Sequence, residues 1–116
     1  MMWLYLSALA MAVTAVIHSA AGEKMIIAPL LSGGDPTVRH PRKSKIIRSA
    51  WHLTSLFMVM TAAVVAWPET PAGLITLIGG LWLLVGVFSL VTSRGKHVGW
   101  PTLSASGIFA LVGVFG

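Results

Sequence analysis

Residues 70–93 read TPAGLITLIGGLWLLVGVFSLVTS, and none of these 24 side chains carries a charge. At about 1.5 Å of rise per residue, a helix of this length extends roughly 36 Å, enough to cross the ~30 Å hydrocarbon core of a bilayer. Glu69 and Arg94 border the run on either side. The stretch therefore predicts a transmembrane helix over about residues 72–93.

Three further runs of the chain have the same character. Residues 1–22 and the chain after His97 contain no ionised side chain, and His52 is the only interruption between residues 49 and 68. Pro101 is expected in the first turn of the last helix, where proline is tolerated. We therefore predict an all-α membrane protein of one domain, a four-transmembrane-helix bundle with helices at about 2–22, 46–67, 72–93 and 100–116 and a basic loop at about 23–45.

The composition supports this class. Of the 116 residues, 9% are charged and 56% are hydrophobic, whereas soluble domains contain about 25% charged residues. The formal net charge is +5, but the basic residues lie only between the hydrophobic runs. This placement favours anionic lipid head groups, and not nucleic acid, as their partner. The chain has no cysteine, which excludes disulfides and thiolate metal ligands.

The basic residues also predict the orientation of the chain. With four crossings, residues 23–45 and 94–98 lie on one side of the membrane, and the termini and the link at 67–71 lie on the other. All eight Lys and Arg residues belong to the first side, with Arg48 at the border of the second helix. The positive-inside rule makes this side cytoplasmic. We predict an up-down-up-down bundle in the inner membrane with both termini outside. The residues expected to hold lipid head groups are Arg39, Arg42, Lys43 and Lys45.

Small residues recur along two of the predicted helices. In lipid, such residues let helix backbones approach closely, either within a chain or between subunits. The short link at 67–71 (WPETP) also predicts that the second and third helices are antiparallel neighbours. The residues that form the small faces are Gly79, Gly86 and Ser93 on the third helix and Ser106, Ala110 and Gly113 on the fourth.

Polar residues are expected to converge near the cytoplasmic ends of the first two helices. His18 lies five residues before Glu23, and His52 lies four residues after Arg48. Both histidines are therefore about 6–8 Å inside the same boundary of the membrane. Polar side chains in a bundle turn toward protein and away from lipid. The residues expected to close this cluster from the other two helices are His97 and Arg94.

Two kinds of chemistry are open to such a cluster. Imidazole and carboxylate together suit a divalent metal, and two imidazoles from facing helices can ligate the iron of haem b. His18 and His52 are the first candidate ligands in both cases, with Glu23 or His97 as alternatives. The spacing lacks a metal signature such as H-E-x-x-H. The alternative is a structural cluster, in which Glu23 pairs with an arginine and each histidine with a hydroxyl or carbonyl group.

Two phrases in the first half of the chain carry a resemblance. H-S-x-x-G-E at 18–23 and R-x-x-W-H at 48–52 resemble phrases in a group of small, uncharacterised bacterial proteins with four membrane spans. In that group the first phrase ends the first span and the second phrase opens the second. The resemblance implies an integral protein of the bacterial inner membrane and implies no activity.

The sequence favours an accessory or scaffold subunit that associates with itself or with a larger membrane complex, since no nucleophile–base pair or nucleotide fingerprint is present. One alternative is a haem- or metal-binding bundle that uses His18 and His52. A second is a small oligomeric transporter or channel, although no charged side chain lies near the middle of a span. A third is acid–base catalysis by His18, Glu23 and His52.

Overall fold

A computed structural model describes residues 1–116, and every regular element in it is helical. This confirms the prediction of an all-helical chain. Three helical stretches are long and apolar enough to span a membrane, and Trp100–Phe115 is apolar but shorter. The elements are α1 (Met2–Gly22), a π-helical segment (Glu23–Ile27), α2 (Ala28–Ser32), α3 (Pro36–Arg39), α4 (Pro41–Ala66), α5 (Ala72–Ser93) and α6 (Trp100–Phe115).

The segment expected as a basic loop, residues 23–45, is mostly helical. The π segment continues α1 directly into α2, so that Met2–Ser32 forms one helical stretch of 31 residues. The apolar sequence MIIAPLL at 25–31 contains no glycine, and the helix ends only at Gly33, where the backbone becomes extended. Ile27 and Leu31 are buried in this extension, which packing therefore stabilises.

Side-chain caps start the next two helices. The Asp35 carboxylate accepts a hydrogen bond from the Thr37 backbone N–H at 2.9 Å, which begins α3. The His40 Nδ1 accepts a hydrogen bond from the Arg42 backbone N–H at 3.2 Å, which begins α4. A proline follows each cap directly, at a position where its missing N–H costs nothing. The basic residues near 39–48 therefore lie on helices.

Helix α1 occupies the middle of the bundle, with α4 on one side and α6 on the other, and α6 packs in turn against α5. The order across the bundle is α4–α1–α6–α5, and successive helices alternate in direction. Helices α4 and α5, expected to be close neighbours because their link is short, contact each other only sparsely. They meet where Trp82 Nε1 donates a hydrogen bond to Thr61 Oγ1 at 3.2 Å.

The small residues serve packing within the chain. A Cβ atom at Gly79 would lie 2.8 Å from that of Ala110, so α5 and α6 approach each other closely. On the other side of α6, the hydroxyl of Ser7 donates a hydrogen bond to the carbonyl oxygen of Ser106 at 2.6 Å, and both residues are fully buried. The faces predicted on the third and fourth helices thus join helices of one molecule.

One apolar cluster joins α1, α4, α5 and α6. Its members are Met11, Ala62, Val65, Trp82 and Leu103. In the whole chain only 19 of 116 residues are buried, and most large apolar side chains lie on the outside of the bundle. Such a surface suits contact with hydrocarbon and is larger than soluble monomers expose.

The chain ends and the Trp67–Pro71 link lie at one end of the bundle. Glu23, the start of α4 and the α5–α6 link lie at the other, which we call the basic end. Contacts fix this arrangement: the rings of Trp3 and Phe109 lie 5.7 Å apart at the first end, and Glu23 bonds Arg48 at the basic end.

Gly86 provides a test of the α5–α6 contact. A Cβ atom there would lie 2.6 Å from the backbone nitrogen and 2.8 Å from the Cα of Ser104, and backbone atoms cannot move aside cheaply. We expect Gly86→Ala to lower the free energy of unfolding by about 1–3 kcal/mol, the usual cost of overpacking. The measurement is SDS-induced unfolding of the purified protein in detergent.

The matched control is Gly80→Ala on the same helix, because nothing lies within 4 Å of a Cβ at that position. We expect this substitution to be neutral or to stabilise by up to about 1 kcal/mol, since alanine loses less backbone freedom than glycine on folding. Equal effects of the two substitutions would contradict the described packing.

Candidate functional site

Three of the residues expected to form a polar cluster meet at the basic end. Arg48 Nε donates a hydrogen bond to Glu23 Oε1 at 2.6 Å, which links α4 to the π segment. His52 Nε2 lies 3.7 Å from the same carboxylate oxygen. The side chains of Arg48 and Glu23 are 48% and 34% exposed, and an ion pair with this exposure contributes only about 0–1 kcal/mol to stability. The pair therefore contributes little to the stability of the fold, and its main effect is on the orientation of α4 relative to the π segment.

A chain of hydrogen bonds continues from His52 into the bundle. His52 Nδ1 lies 2.9 Å from Ser19 Oγ, and Ser19 Oγ donates to Ser55 Oγ at 2.6 Å. Ser19 thus links the imidazole of His52 to the hydroxyl of Ser55, and the other ring nitrogen of His52 is the one nearest Glu23.

Sequence reasoning missed Ser19 as a member of this network. The signal was present, because Ser19 and Glu23 are four residues apart and lie on one face of the helix. Ser55, which bonds Ser19, is buried. The four-residue spacing Arg48–His52 and the three-residue spacing to Ser55 do place these side chains along one helix face.

His18 has different partners from His52. Its ring meets the indole of Trp51 edge to face, with 4.3 Å between ring centroids. Trp51 Nε1 donates a hydrogen bond to the backbone carbonyl oxygen of His18 at 2.7 Å. Gly22 makes this contact possible, because a Cβ atom there would overlap the indole. The Nδ1 atom of His18 is buried and has no hydrogen-bond partner in the chain.

His18 also lines a cavity of about 490 Å³ at the basic end. Its walls come from α1, the π segment, α4, α5, the α5–α6 link and α6. His97, which belongs to this link, lines the same cavity as His18. The sequence predicts both residues in one cluster. Arg94 does not take part, since it ends α5 in a left-handed conformation (φ 54°) and is exposed. The expected single cluster is therefore divided into a hydrogen-bonded network and a cavity.

The geometry gives limited support to a metal or haem site. The two ring nitrogens of His52 face Ser19 and Glu23, whereas the ring of His18 packs on Trp51. No three His, Asp or Glu side chains of the chain form a group that could hold a metal ion. Ligation of haem b or a divalent metal by His18 and His52 stays a prediction.

The residues expected to hold lipid head groups are exposed on α3 and the first turns of α4. Arg42, Lys45 and Arg48 line an open groove along α4, and Arg39 and Lys43 lie nearby in the chain. Their binding to anionic lipid stays a prediction. Their position at the basic end places them on the same side of the bundle as Glu23.

Comparison with known proteins gives no match for this chain among protein-family models, curated proteins or solved structures. Function must therefore be inferred from the geometry of the bundle itself.

Ser19 provides a test of the network. Ser19→Ala removes two hydrogen bonds between α1 and α4, and interhelical hydrogen bonds in membrane proteins contribute about 0.6–1.7 kcal/mol each. We expect the free energy of unfolding in SDS to fall by about 1–2 kcal/mol. Ser49→Ala, on the exposed face of α4, is the control and is expected to change it by less than about 0.5 kcal/mol.

A double-mutant cycle with Ser55→Ala isolates the Ser19–Ser55 contact, since residues that share a hydrogen bond give non-additive effects. Strictly additive losses from the two substitutions would contradict the direct bond between these hydroxyl groups.

Proposed function

We propose that this chain is an integral protein of the bacterial cytoplasmic membrane that crosses the bilayer four times, has both termini outside, and acts as an accessory or scaffold subunit by associating with a second copy of itself. The placement of all eight Lys and Arg residues at the basic end supports this orientation. The three long apolar helices support insertion into the membrane.

The packing of α6 supports a fourth crossing. With 16 residues, α6 is about 24 Å long, shorter than the ~30 Å hydrocarbon core. It nevertheless lies between α1 and α5 and runs antiparallel to both. A helix held between two spanning helices in this way lies at the same depth as they do.

The observation that carries the accessory role is a stripe of exposed apolar residues on α5. These side chains are between 59% and 70% exposed and are spaced by four, three, four and three residues. This is the spacing of the seam between two helices in a left-handed coiled coil, and many membrane helix pairs cross with the same geometry. The residues of this α5 stripe are Leu77, Leu81, Leu84, Phe88 and Val91.

The opposite face of α5 packs within the molecule. Gly79 and Gly86 pack against α6, and Trp82 reaches the core. Since the small-residue face is occupied within the molecule, the α5 stripe is the face of this helix that is left for association. A single stripe of this kind matches itself in a two-fold symmetric pair. These points favour a second copy of the chain as the partner.

The polar network is a poor candidate for a catalytic or cofactor site, because its members are already paired with one another. Glu23 pairs with Arg48, and His52 bonds Ser19, which bonds Ser55. The three alternatives that the sequence leaves open have no specific observation in their favour.

The proposed orientation predicts the behaviour of terminal fusions. Alkaline phosphatase joined after Gly116 is expected to be active in bacterial cells, because this enzyme folds only outside the cytoplasm. A fusion within the α5–α6 link, after Lys96, is expected to be inactive. The reverse pattern of activity would contradict the proposed topology.

The chain contains no cysteine, so one introduced cysteine tests the proposed association directly. Leu84→Cys, near the centre of the α5 stripe, is expected to form a disulfide-linked dimer when native membranes are treated with a mild oxidant. The control is Val16→Cys on α1, a residue that is 67% exposed and lies outside the stripe. It is expected to stay monomeric.

Cross-linking of Leu84→Cys to a different protein would replace self-association with a role in a larger complex. Equal dimer formation by the two variants, or none by either, would contradict the proposal.

A further inference from the structure

The cavity beside His18 results from the order of the helices. Helices α4 and α5 stand at the two ends of the row, and they touch where Thr61 bonds Trp82. Toward the basic end they leave a gap, which α1 and α6 close from behind. Met58 of α4 and Val85 of α5 both line this cavity. All four membrane-spanning helices of the proposed bundle therefore contribute to its walls.

The cavity has a mostly apolar lining, and its one charged residue, Lys96, lies at the basic end. Lys96 and His97 line it from the α5–α6 link, at the level where the chain leaves the spans. Leu103 lines its deeper part and belongs to the buried core. An amphiphile placed here would have its polar head at the membrane surface and its chain toward the bilayer centre, as the surrounding lipid does.

The charges of the lining favour an anionic head. Lys96 lines the cavity, as do the rings of His18 and His97, while none of the three acidic residues of the chain does so. Glu23, on the adjoining helix turn, is held by Arg48. The ammonium group of Lys96 can donate hydrogen bonds to an anionic head. Charge-assisted hydrogen bonds from such groups are about twice as strong as neutral ones.

We propose that this cavity binds one anionic amphiphile, with its acyl chain between α4 and α5 and its carboxylate or phosphate at Lys96 and His97. The volume of about 490 Å³ lies within the range of about 300–1,000 Å³ found for small-molecule sites. Either a phospholipid of the bilayer or a free fatty acid has this chemistry. The bound chain fills the gap between α4 and α5 and stabilises the bundle by mass action.

Native mass spectrometry of the delipidated full chain in a neutral detergent tests this proposal. The result does not depend on the orientation of the chain in the membrane or on its self-association. The chain is titrated separately with palmitate, with phosphatidylglycerol and with hexadecanol, which has an uncharged head. We expect a one-to-one complex with palmitate or phosphatidylglycerol, and binding of hexadecanol at least tenfold weaker. Tighter binding of phosphatidylglycerol identifies the bilayer as the source, and tighter binding of palmitate identifies a free fatty acid.

Two pairs of variants locate the site. Val85→Trp fills the cavity, while Val87→Trp makes the same change on α5 at a position outside the lining with similar exposure, 41% against 45%. Lys96→Gln removes a charge from the cavity, while Lys24→Gln removes one from an exposed position at the same end that does not line the cavity. We expect the first member of each pair to weaken binding at least tenfold and the second to leave it unchanged.

Three results would overturn the proposal: the lack of a one-to-one complex, equal binding of palmitate and hexadecanol, or equal effects of the cavity and control variants. Lys96 is exposed, so its variant keeps the test valid even where a tryptophan at position 85 disturbs folding.

Discussion

The hydrogen bond from Ser7 to the carbonyl oxygen of Ser106 holds α1 against α6, and the rest of the bundle is arranged around this contact. Both residues are fully buried, and in apolar surroundings each unsatisfied polar group costs several kcal/mol. The bond therefore fixes the depth of α1 relative to α6. Helix α4 packs on the free side of α1, and α5 packs on the free side of α6. The outer two helices consequently remain apart at the basic end, where the cavity lies.

The polar residues of the basic end form two groups with different contacts. Glu23, Arg48 and His52, together with two serines, join the π segment to α4 through a continuous set of contacts. His18 and His97 instead line the apolar cavity. Trp51 connects the two regions, because it neighbours His52 in sequence and binds the backbone of His18. Replacing residues of the network therefore tests how the bundle is held together, while replacing residues of the cavity tests what the bundle binds.

The charged borders predicted the long helices well, because side chains such as Glu69 and Arg94 cannot remain in hydrocarbon. The convergence of Glu23, Arg48 and His52 followed from helical spacing and a common depth. The order of the helices did not follow, since a five-residue link keeps two helix ends close but does not decide which faces pack. The different partners of His18 and His52 could not be predicted from the sequence either. His18 and Ser19 are consecutive on α1 and point about 100° apart, and no residue pattern marks which of the two faces α4.

The unequal lengths of the helices have a consequence for the surrounding bilayer. Helix α5, with 22 residues, is about 33 Å long, whereas α6 reaches only about 24 Å and packs against it. If both cross, the lipid beside α6 must thin by about 6 Å, or the bundle must tilt, at a cost of a fraction of a kcal/mol per Å. Such a hydrophobic mismatch on one flank favours thinner regions of membrane.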